Sequence, residues 1–394
     1  MRFSIRKDTL QKALDVASLA VTKDAGVITS SVLFEIEEGD LTLWSTDRRV
    51  MTKVPTTMVP ETLQGEGSFT VEAGRLTQWV KSVFEEEIAV EVDTDGVVMT
   101  CGDATGHFVS LDADAFPDFK NRLEGKTKLF DSDPTTFINA LKFAKPFIGD
   151  ETSNNATANN FQVAELRGRD MMATDSCILS LFKVTTDENS DILADYIESG
   201  QKFKVSKDEI KKVIDFLNKT CDLRFSVSKT DLFLIESDDG SIFGYSEPLY
   251  DLPDIPGIPV DLTEPEIWKL NKKKLQSAVK ALTATADPDD VVLEVEVSGA
   301  EGVQGVLKLS MKDALEKHDS VFKIPVVREK SSGESVSFKV NHQFLTDPLG
   351  LYDDEDVYIG VNATAEASTK YVKLHEVTEQ GNVRVALITL RLDL

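Results

Sequence analysis

Six times along this 394-residue chain one eight-residue phrase recurs: an apolar residue, a spacer, usually a second apolar residue, then a polar stretch closed by another apolar residue. The copies are Phe3-Ser-Ile-Arg-Lys-Asp-Thr-Leu10, Phe69-Thr-Val-Glu-Ala-Gly-Arg-Leu76, Phe130-Asp-Ser-Asp-Pro-Thr-Thr-Phe137, Phe203-Lys-Val-Ser-Lys-Asp-Glu-Ile210, Trp268-Lys-Leu-Asn-Lys-Lys-Lys-Leu275 and Phe338-Lys-Val-Asn-His-Gln-Phe-Leu345, spaced 61 to 73 residues apart. So steady a spacing means one supersecondary unit used six times, which constrains the fold more than any local motif does.

Each phrase reads as a strand running into a helix. Phe203 and Val205 alternate as on one face of a strand, and Ser206, Asn271 or Asn341 then stands where an N-cap is wanted. The period changes at that point: Ile210, Val213, Ile214 and Leu217 follow the i, i+3, i+4, i+7 stripe of a half-buried helix, as do Leu10, Ala13, Leu14 and Ala17, and Leu275, Ala278, Val279 and Leu282. Alternation then returns, with Ile88–Val92 and Val97–Met99 separated by Asp95-Gly96, so antiparallel hairpins follow each helix. One such unit of about 65 residues buries too little surface alone, and pairs of units sharing a core are the economical domain. Matching closers, Asp114-Ala-Phe-Pro-Asp118 and Tyr250-Asp-Leu-Pro-Asp254, fall near the ends of the second and fourth units. Leu41-Thr-Leu-Trp-Ser-Thr-Asp47 likewise resembles Arg169-Asp-Met-Met-Ala-Thr-Asp175 in the first and third. The fold expected is α+β, with three domains at residues 1–125, 126–262 and 263–394.

The formal charge of −25 argues at first against nucleic acid, because an acidic body repels phosphate. Yet five of the six predicted helices carry cations on or beside the polar face: Lys7 and Lys12; Arg75 and Lys81; Lys142 and Lys145; Lys207, Lys211, Lys212 and Lys219; Lys272, Lys273, Lys274 and Lys280. The acids sit in strands and loops instead, as in Glu85–Glu87, Asp287–Asp290 and Asp353–Asp356. A solvated face explains any one such helix, but six equivalent helices gather those faces together. No apolar run reaches membrane-span length, the opening residues lack a signal-peptide core, and Cys101, Cys177 and Cys221 have no metal spacing, so a reducing cytoplasm is expected. There is no phosphate-binding glycine loop, no zinc-type spacing among His107, His318, His342 and His375, and no nucleophile elbow. No enzyme activity, cofactor or metal is expected.

The order and spacing of Met1-Arg-Phe-Ser-Ile, the Thr46-Asp47 and Thr174-Asp175 pairs, the Phe-Pro-Asp and Leu-Pro-Asp closers and the terminal Ile388-Thr-Leu-Arg-Leu392 resemble the bacterial-type DNA sliding clamp, the beta subunit of DNA polymerase III. The resemblance covers essentially the whole chain. It implies three copies of the clamp fold and two chains closed head to tail into a homodimeric ring, helices inside and sheets outside, that encircles double-stranded DNA without sequence preference. Such a processivity factor tethers the replicative DNA polymerase and is placed by a clamp loader. Topological linkage also resolves the charge paradox, since weak contacts from inner lysines favour sliding.

By position, the resemblance implies a DNA-facing set of Lys7, Lys12, Lys23, Arg75, Lys81, Lys142, Lys145, Lys207, Lys211, Lys212, Lys219, Lys272, Lys273 and Lys280. It implies a partner-peptide pocket of Thr174, Ser176, Ile178, Leu179, Pro253, Ile258, Ile388, Leu390 and Leu392, and a dimer interface of Phe108, Leu111, Val279, Leu282 and Ala284. The chain departs from the family at Ser176-Cys177-Ile178, where Gly-His-Arg is usual, at Thr389, where proline is usual, and in the added Asp393 and Leu394. The loop Gly149–Thr157 is acidic at Asp150 and Glu151, and Asp347-Pro348 should break or shorten a sixth helix that is poor in cations. These departures suit a divergent, phage-encoded member. They also keep a second reading open, a clamp-fold scaffold or decoy for clamp-binding peptides that has given up DNA. A trimeric ring of two-domain chains is disfavoured because one chain already holds six units.

Overall fold

A computed structural model describes residues 1–24, 26–94, 96–149, 161–184, 193–221, 224–254, 261–286, 292–302, 304–312, 319–331, 335–362, 370–378 and 381–390. Each sequence phrase is a strand running directly into a helix, and three more strands follow it. The first two repeats are β1 (Arg2–Arg6), α1 (Lys7–Ala17), β2 (Ser31–Glu37), β3 (Asp40–Thr46) and β4 (Val50–Thr56), then β5 (Gly67–Glu72), α2 (Ala73–Ser82), β6 (Glu87–Val92), β7 (Val97–Cys101) and β8 (Ala104–Phe108). The next two are β9 (Thr127–Ser132), α3 (Pro134–Ala144), β10 (Val163–Arg167), β11 (Asp170–Thr174) and β12 (Ile178–Lys183), then β13 (Phe203–Ser206), α5 (Lys207–Thr220), β14 (Phe225–Lys229), β15 (Leu232–Ser237) and β16 (Ile242–Ser246). Between them lies a short helix that the sequence pattern did not announce, α4 (Ala194–Ser199). The last pair is β17 (Glu266–Asn271), α6 (Lys272–Thr283), β18 (Val292–Ser298), β19 (Gln304–Lys312) and β20 (Asp319–Lys330), then β21 (Val336–Asn341), α7 (His342–Leu349), β22 (Asp356–Asn362), β23 (Tyr371–Val377) and β24 (Val383–Thr389).

Repeats are joined in pairs by exchanging their first strands. β1 pairs with β6 of the second repeat, while β5 pairs with β2 of the first. β9 and β13 trade places in the same way, onto β14 and β10. In the last pair β21 lies against β18, and β17 bridges β22 and β20. A repeat without its partner would therefore lack a strand under its own helix. The strands form a 4-stranded sheet (β1-β6-β7-β8), an 8-stranded sheet (β5-β2-β3-β4-β16-β15-β14-β9) and a 12-stranded sheet from β13 to β21, all antiparallel. The chain divides into two compact units: Met1–Ile138, Ile192–Gln201 and Asp208–Pro248, holding the two smaller sheets, and Asn139–Asp191, Lys202–Lys207 and Leu249–Leu394, holding the largest.

The helix stripes read from the sequence are the buried faces. Leu10, Leu14 and Ala17 of α1, Ile210, Val213 and Leu217 of α5, and Leu275 and Ala278 of α6 are fully buried. Asn271 and Asn341 cap α6 and α7, their side-chain oxygens accepting from the amides of Lys274 (3.1 Å) and Gln343 (2.9 Å). α7 is only eight residues long and contains Pro348 near its end, as the Asp347-Pro348 step predicts.

A lysine opens α1, α5 and α6, an unfavourable place for a cation beside the positive end of the helix dipole. Each finds the opposite dipole in its paired repeat. Lys7 Nζ donates to the Val83 carbonyl just past α2, Lys207 Nζ to the Ile148 carbonyl beyond α3 (3.1 Å), and Lys272 Nζ to the Tyr352 carbonyl beyond α7 (2.5 Å). Their backbone amides reach the same repeats, at the carbonyls of Glu86 (2.8 Å), Gln162 (3.2 Å) and Glu355 (2.8 Å). The lysine thus bonds a carbonyl at the end of the partner repeat's helix in α2, and in the segment just after that helix in the other two, and fixes where one helix starts against where the other stops.

Beneath β22 and β23 the Glu264 carboxylate and Lys373 ammonium form an ion pair with both side chains fully buried. Gly360 is required there, since a Cβ would lie 2.5 Å from Glu264 Oε2. His375, 8% exposed, has its pKa lowered by burial and then by the nearby charge of Lys373.

Two outcomes follow from these contacts. Lys7→Met and Lys272→Met should each cost about 1 kcal/mol in denaturant-midpoint measurements, while Lys12→Met on the exposed face of α1 should cost nothing measurable. Because burial lowers the pKa of His375 in the folded chain, the unfolded chain binds its proton first as pH falls, so its contribution is intact above the unfolded pKa of about 6.5 and is lost as pH falls below it. His375→Gln should flatten that part of the melting-temperature profile below pH 6.5; an unchanged slope would mean that His375 is not its source.

Candidate partner-binding and DNA-facing surfaces

The two Thr-Asp pairs build one turn twice. In the first repeat the Thr46 hydroxyl donates to the Val50 carbonyl (2.8 Å) and accepts from the Arg48 amide (2.8 Å), while Asp47 Oδ1 accepts from the amides of Arg49 (2.9 Å) and Val50 (2.8 Å). In the third, Thr174 donates to the Ile178 carbonyl (2.7 Å) and accepts from Ser176 (3.1 Å), and Asp175 Oδ1 takes the amides of Cys177 (2.8 Å) and Ile178 (2.9 Å). The middle residue is left-handed in both, Arg48 at φ 77° and Ser176 at φ 82°. That is why glycine would be favoured at this position, and Ser176 occupies it at a conformational cost.

Each turn leads into a strand that joins two repeat pairs: β4 pairs with β16, and β12 pairs with β24. At the second junction Ile178 lies opposite Ile388 and Leu179 opposite Leu387. Phe182 packs on Phe143 of α3 (ring centroids 6.2 Å apart), so alternation puts Ile178, Ser180, Phe182 and Ile388 on the helix side and Leu179 and Leu387 on the outer side. The expected pocket residues therefore divide between the two faces of these strands. Ile178 and Ile388 lie on the helix side, whereas Thr174, Leu179 and the unanticipated Leu387 lie along the outer face, and all five are buried. Ser176 is exposed in the turn, and Pro253 and Leu390 are half-buried. Ile258 and Leu392 lie outside the described residues.

The Leu-Pro-Asp closer is fastened to β10 by charges absent from the expected site residues. Glu165, fully buried, accepts the Leu252 amide (2.9 Å) and holds Arg167 Nε (2.6 Å). Arg167 donates to the carbonyls of Leu252 and Pro253. Lys204 pairs with Asp251 at 2.7 Å, and that ammonium holds the Asp251 carboxyl below its usual range. A glutamate and an arginine alternating inside Val163-Ala-Glu-Leu-Arg167 were the sequence signal, because buried carboxylates in a strand need partners.

The expected DNA-facing cations divide by their partners. Lys7, Lys207 and Lys272 are committed to helix-end carbonyls, Lys219 donates to the Asp15 carbonyl (2.7 Å), and Lys212 pairs with Asp47 (2.9 Å). Lys81 meets Asp15 (3.3 Å), Arg75 meets Glu72 (3.1 Å) and Lys273 meets Glu355 (3.6 Å), all on exposed surface. Lys12, Lys23, Lys142, Lys145, Lys211 and Lys280 have no ion-pair partner among the described residues. The helix α7 carries no lysine or arginine, and positions 150–157 of the acidic loop lie outside the described residues.

Of the expected interface residues, Phe108 ends the edge strand β8 and packs edge-on against Trp79 (5.9 Å), next to an exposed Val109. Gly106 is needed there, because a Cβ would lie 2.9 Å from both rings. Leu111 is half-buried, its amide donating to Thr70 Oγ1 (2.8 Å). Val279 and Leu282, each 2% exposed, lie on the buried stripe of α6, and only Ala284 of that trio is exposed. Among the described residues of this repeat the exposed large apolar side chains are Val306 on β19 and Val321, Phe322 and Val327 on β20. Residues 319–326 of that strand pair with β19 alone, leaving the other edge unpaired among the described residues.

Residues 1–120 match the family described as DNA polymerase III beta subunit, N-terminal domain. Among solved structures, the chain is similar over 99% of its length and 99% of the other's to the Thermotoga maritima DNA polymerase III beta subunit (19% identity, TM-score 0.77). It is similar over the full length of both chains to the Pseudomonas aeruginosa beta subunit (17%, TM-score 0.79) and to Caulobacter crescentus pol III beta (17%, TM-score 0.76). No curated protein matches it in sequence. Residues 1–120 thus match the DNA polymerase III beta subunit N-terminal family model, and the chain has, along its whole length, the fold of the bacterial sliding clamp.

Proposed function

We propose that this chain is a DNA polymerase processivity factor: two copies close into a ring around duplex DNA, are placed there by a clamp loader, and tether the replicative polymerase in the cytoplasm. The domains in this reading are residues 1–125, 126–262 and 263–394, each one exchanged pair of repeats, and no catalysis is assigned to them. The observation that carries the reading is a pair of open strand edges with exposed apolar residues beside them. β8 ends the 4-stranded sheet with Phe108 and Val109 beside it, and residues 319–326 of β20 leave one edge open next to Val321 and Phe322. Exposed edges with apolar flanks demand a partner strand, and a second copy supplies both edges at once in a closed, symmetric assembly.

The cations support sliding rather than gripping. Eight of the expected fourteen have acceptors within the chain and six have no ion-pair partner among the described residues, so each copy offers DNA a limited set of uncommitted cations and retention rests mainly on encirclement. The polymerase or loader supplies an apolar peptide to the outer face of the β12–β24 junction, at Thr174, Leu179, Leu387, Pro253 and Leu390.

The same commitment of lysines, with a sixth helix free of cations, favours the second reading, a scaffold or decoy for such peptides that does not load on DNA.

The two readings part in solution. The 43.5 kDa chain should run as a species of about 87 kDa that persists on dilution, stay on nicked circular DNA after loading, and leave when the circle is cut. A dimer that binds peptide but is never retained on circles would establish the scaffold instead. Leu390→Ser with Pro253→Ser should weaken polymerase-peptide binding at least tenfold at unchanged melting temperature; wild-type affinity in that variant would remove the junction from consideration.

A further inference from the structure

The first junction repeats the build of the second: the same Thr-Asp turn, an antiparallel strand junction and a Pro-Asp closer. Its outer face is apolar. Leu33, Trp44, Met51, Leu232, Leu234 and Ile242 form one cluster on five neighbouring strands, from β2 across to β15. Gly244 of β16 leaves the room for it, since a Cβ there would come within 2.9 Å of Met51 and 3.0 Å of Leu234. The face opposite is the helix side, where Ser45 bonds the Ala17 carbonyl (2.6 Å) and Phe243 packs on Phe216 of α5 (5.6 Å).

A segment of the chain already lies in this trough. Phe119, 8% exposed, is part of the cluster, and Phe116 and Leu123 pack against it half-buried. The flanking cations meet an acidic rim: Lys120 pairs with Glu35 (2.7 Å) and Glu37 (3.3 Å), and Arg122 pairs with Asp231 (2.8 Å) while stacking on the Phe119 ring (5.3 Å). Residues 116–123 form no strand pairing; the last four are a single 3-10 turn. The buried Phe119 ring, the half-buried Phe116 and Leu123, the rim ion pairs and a hydrogen bond from Thr230 Oγ1 to the Arg122 carbonyl (2.8 Å) hold the segment, and rim pairs are individually weak. It is bound as a peptide ligand is bound, by anchors and a charged rim, rather than as part of the sheet.

We propose that the outer face of the β4–β16 junction is a second peptide groove whose resident ligand is the chain's own Phe116–Leu123, displaceable by a partner segment with an aromatic anchor beside cations. The proposal stands on this junction's geometry and does not require the β12–β24 junction to bind anything.

The probe is a synthetic peptide of residues 113–123, titrated into the full-length chain carrying Phe119→Ala and Arg122→Ala, with tryptophan fluorescence as the readout because Trp44 lines the groove. One peptide per chain should bind the variant at least tenfold more tightly than wild type, and Trp44→Phe should abolish the signal. A folded variant that binds no peptide, or binding whose signal survives Trp44→Phe, overturns the proposal. Should the variant fail to fold, hydrogen exchange of the wild-type chain decides it. The Arg122 amide, bonded to the Phe119 carbonyl (3.0 Å), should exchange by local opening, independently of low denaturant. Exchange only with global unfolding would make the segment an integral part of the core and end the idea.

Discussion

The exchange of first strands between repeats is the constraint on which the rest of the structure depends. Each repeat of one strand, one helix and three strands gives its opening strand to a neighbour and receives one back, so neither sheet of a pair is complete without the other repeat. A two-layer unit of about 65 residues that cannot close its own sheet has no stable independent state. The pairing also dictates where helices begin and end. Because the strand donated by one repeat runs straight into its helix, Lys7, Lys207 and Lys272 arrive beside the finishing carbonyls of the partner repeat, and the clasp forms three times over.

That clasp changes the meaning of the positive charge. On helices of a net acidic chain, lysines invite a nucleic-acid reading, yet several are consumed by carbonyls and carboxylates of the chain itself. A surface treated this way offers phosphate a few scattered cations instead of a binding stripe. Such sparse contact suits a protein held on DNA by its shape and would defeat one that relied on attraction.

The two strand junctions show how repetition produces related but unequal surfaces. Identical turn chemistry delivers a strand to each junction, and the closer of each exchanged pair lies over an outer face. At one junction Phe119 fills the apolar trough; at the other, Glu165 and Arg167 hold the closer by its backbone, and Leu179 and Leu387 lie side by side. Aromatic anchoring in one case and charge anchoring in the other follow from what alternates into the outer face of β2 and β3 as against β10.

The sequence by itself determined the repeat, the strand-to-helix switch, the buried helix stripes, the asparagine caps and the short sixth helix. All of these are set by residues within one or two turns of each other, where periodicity and local hydrogen bonding leave a direct trace. Tertiary structure alone decided which repeat lends its strand to which, that Ile178 and Ile388 face the helices while Leu179 and Leu387 face outward, and which lysines are taken by distant carbonyls. In each case the deciding partner lies tens to hundreds of residues away, as Ile178 is from Ile388, and a one-residue change of register would reverse the face. Alternation reveals that a strand has two faces; only the strand paired beside it and the helix packed on it decide which face is which.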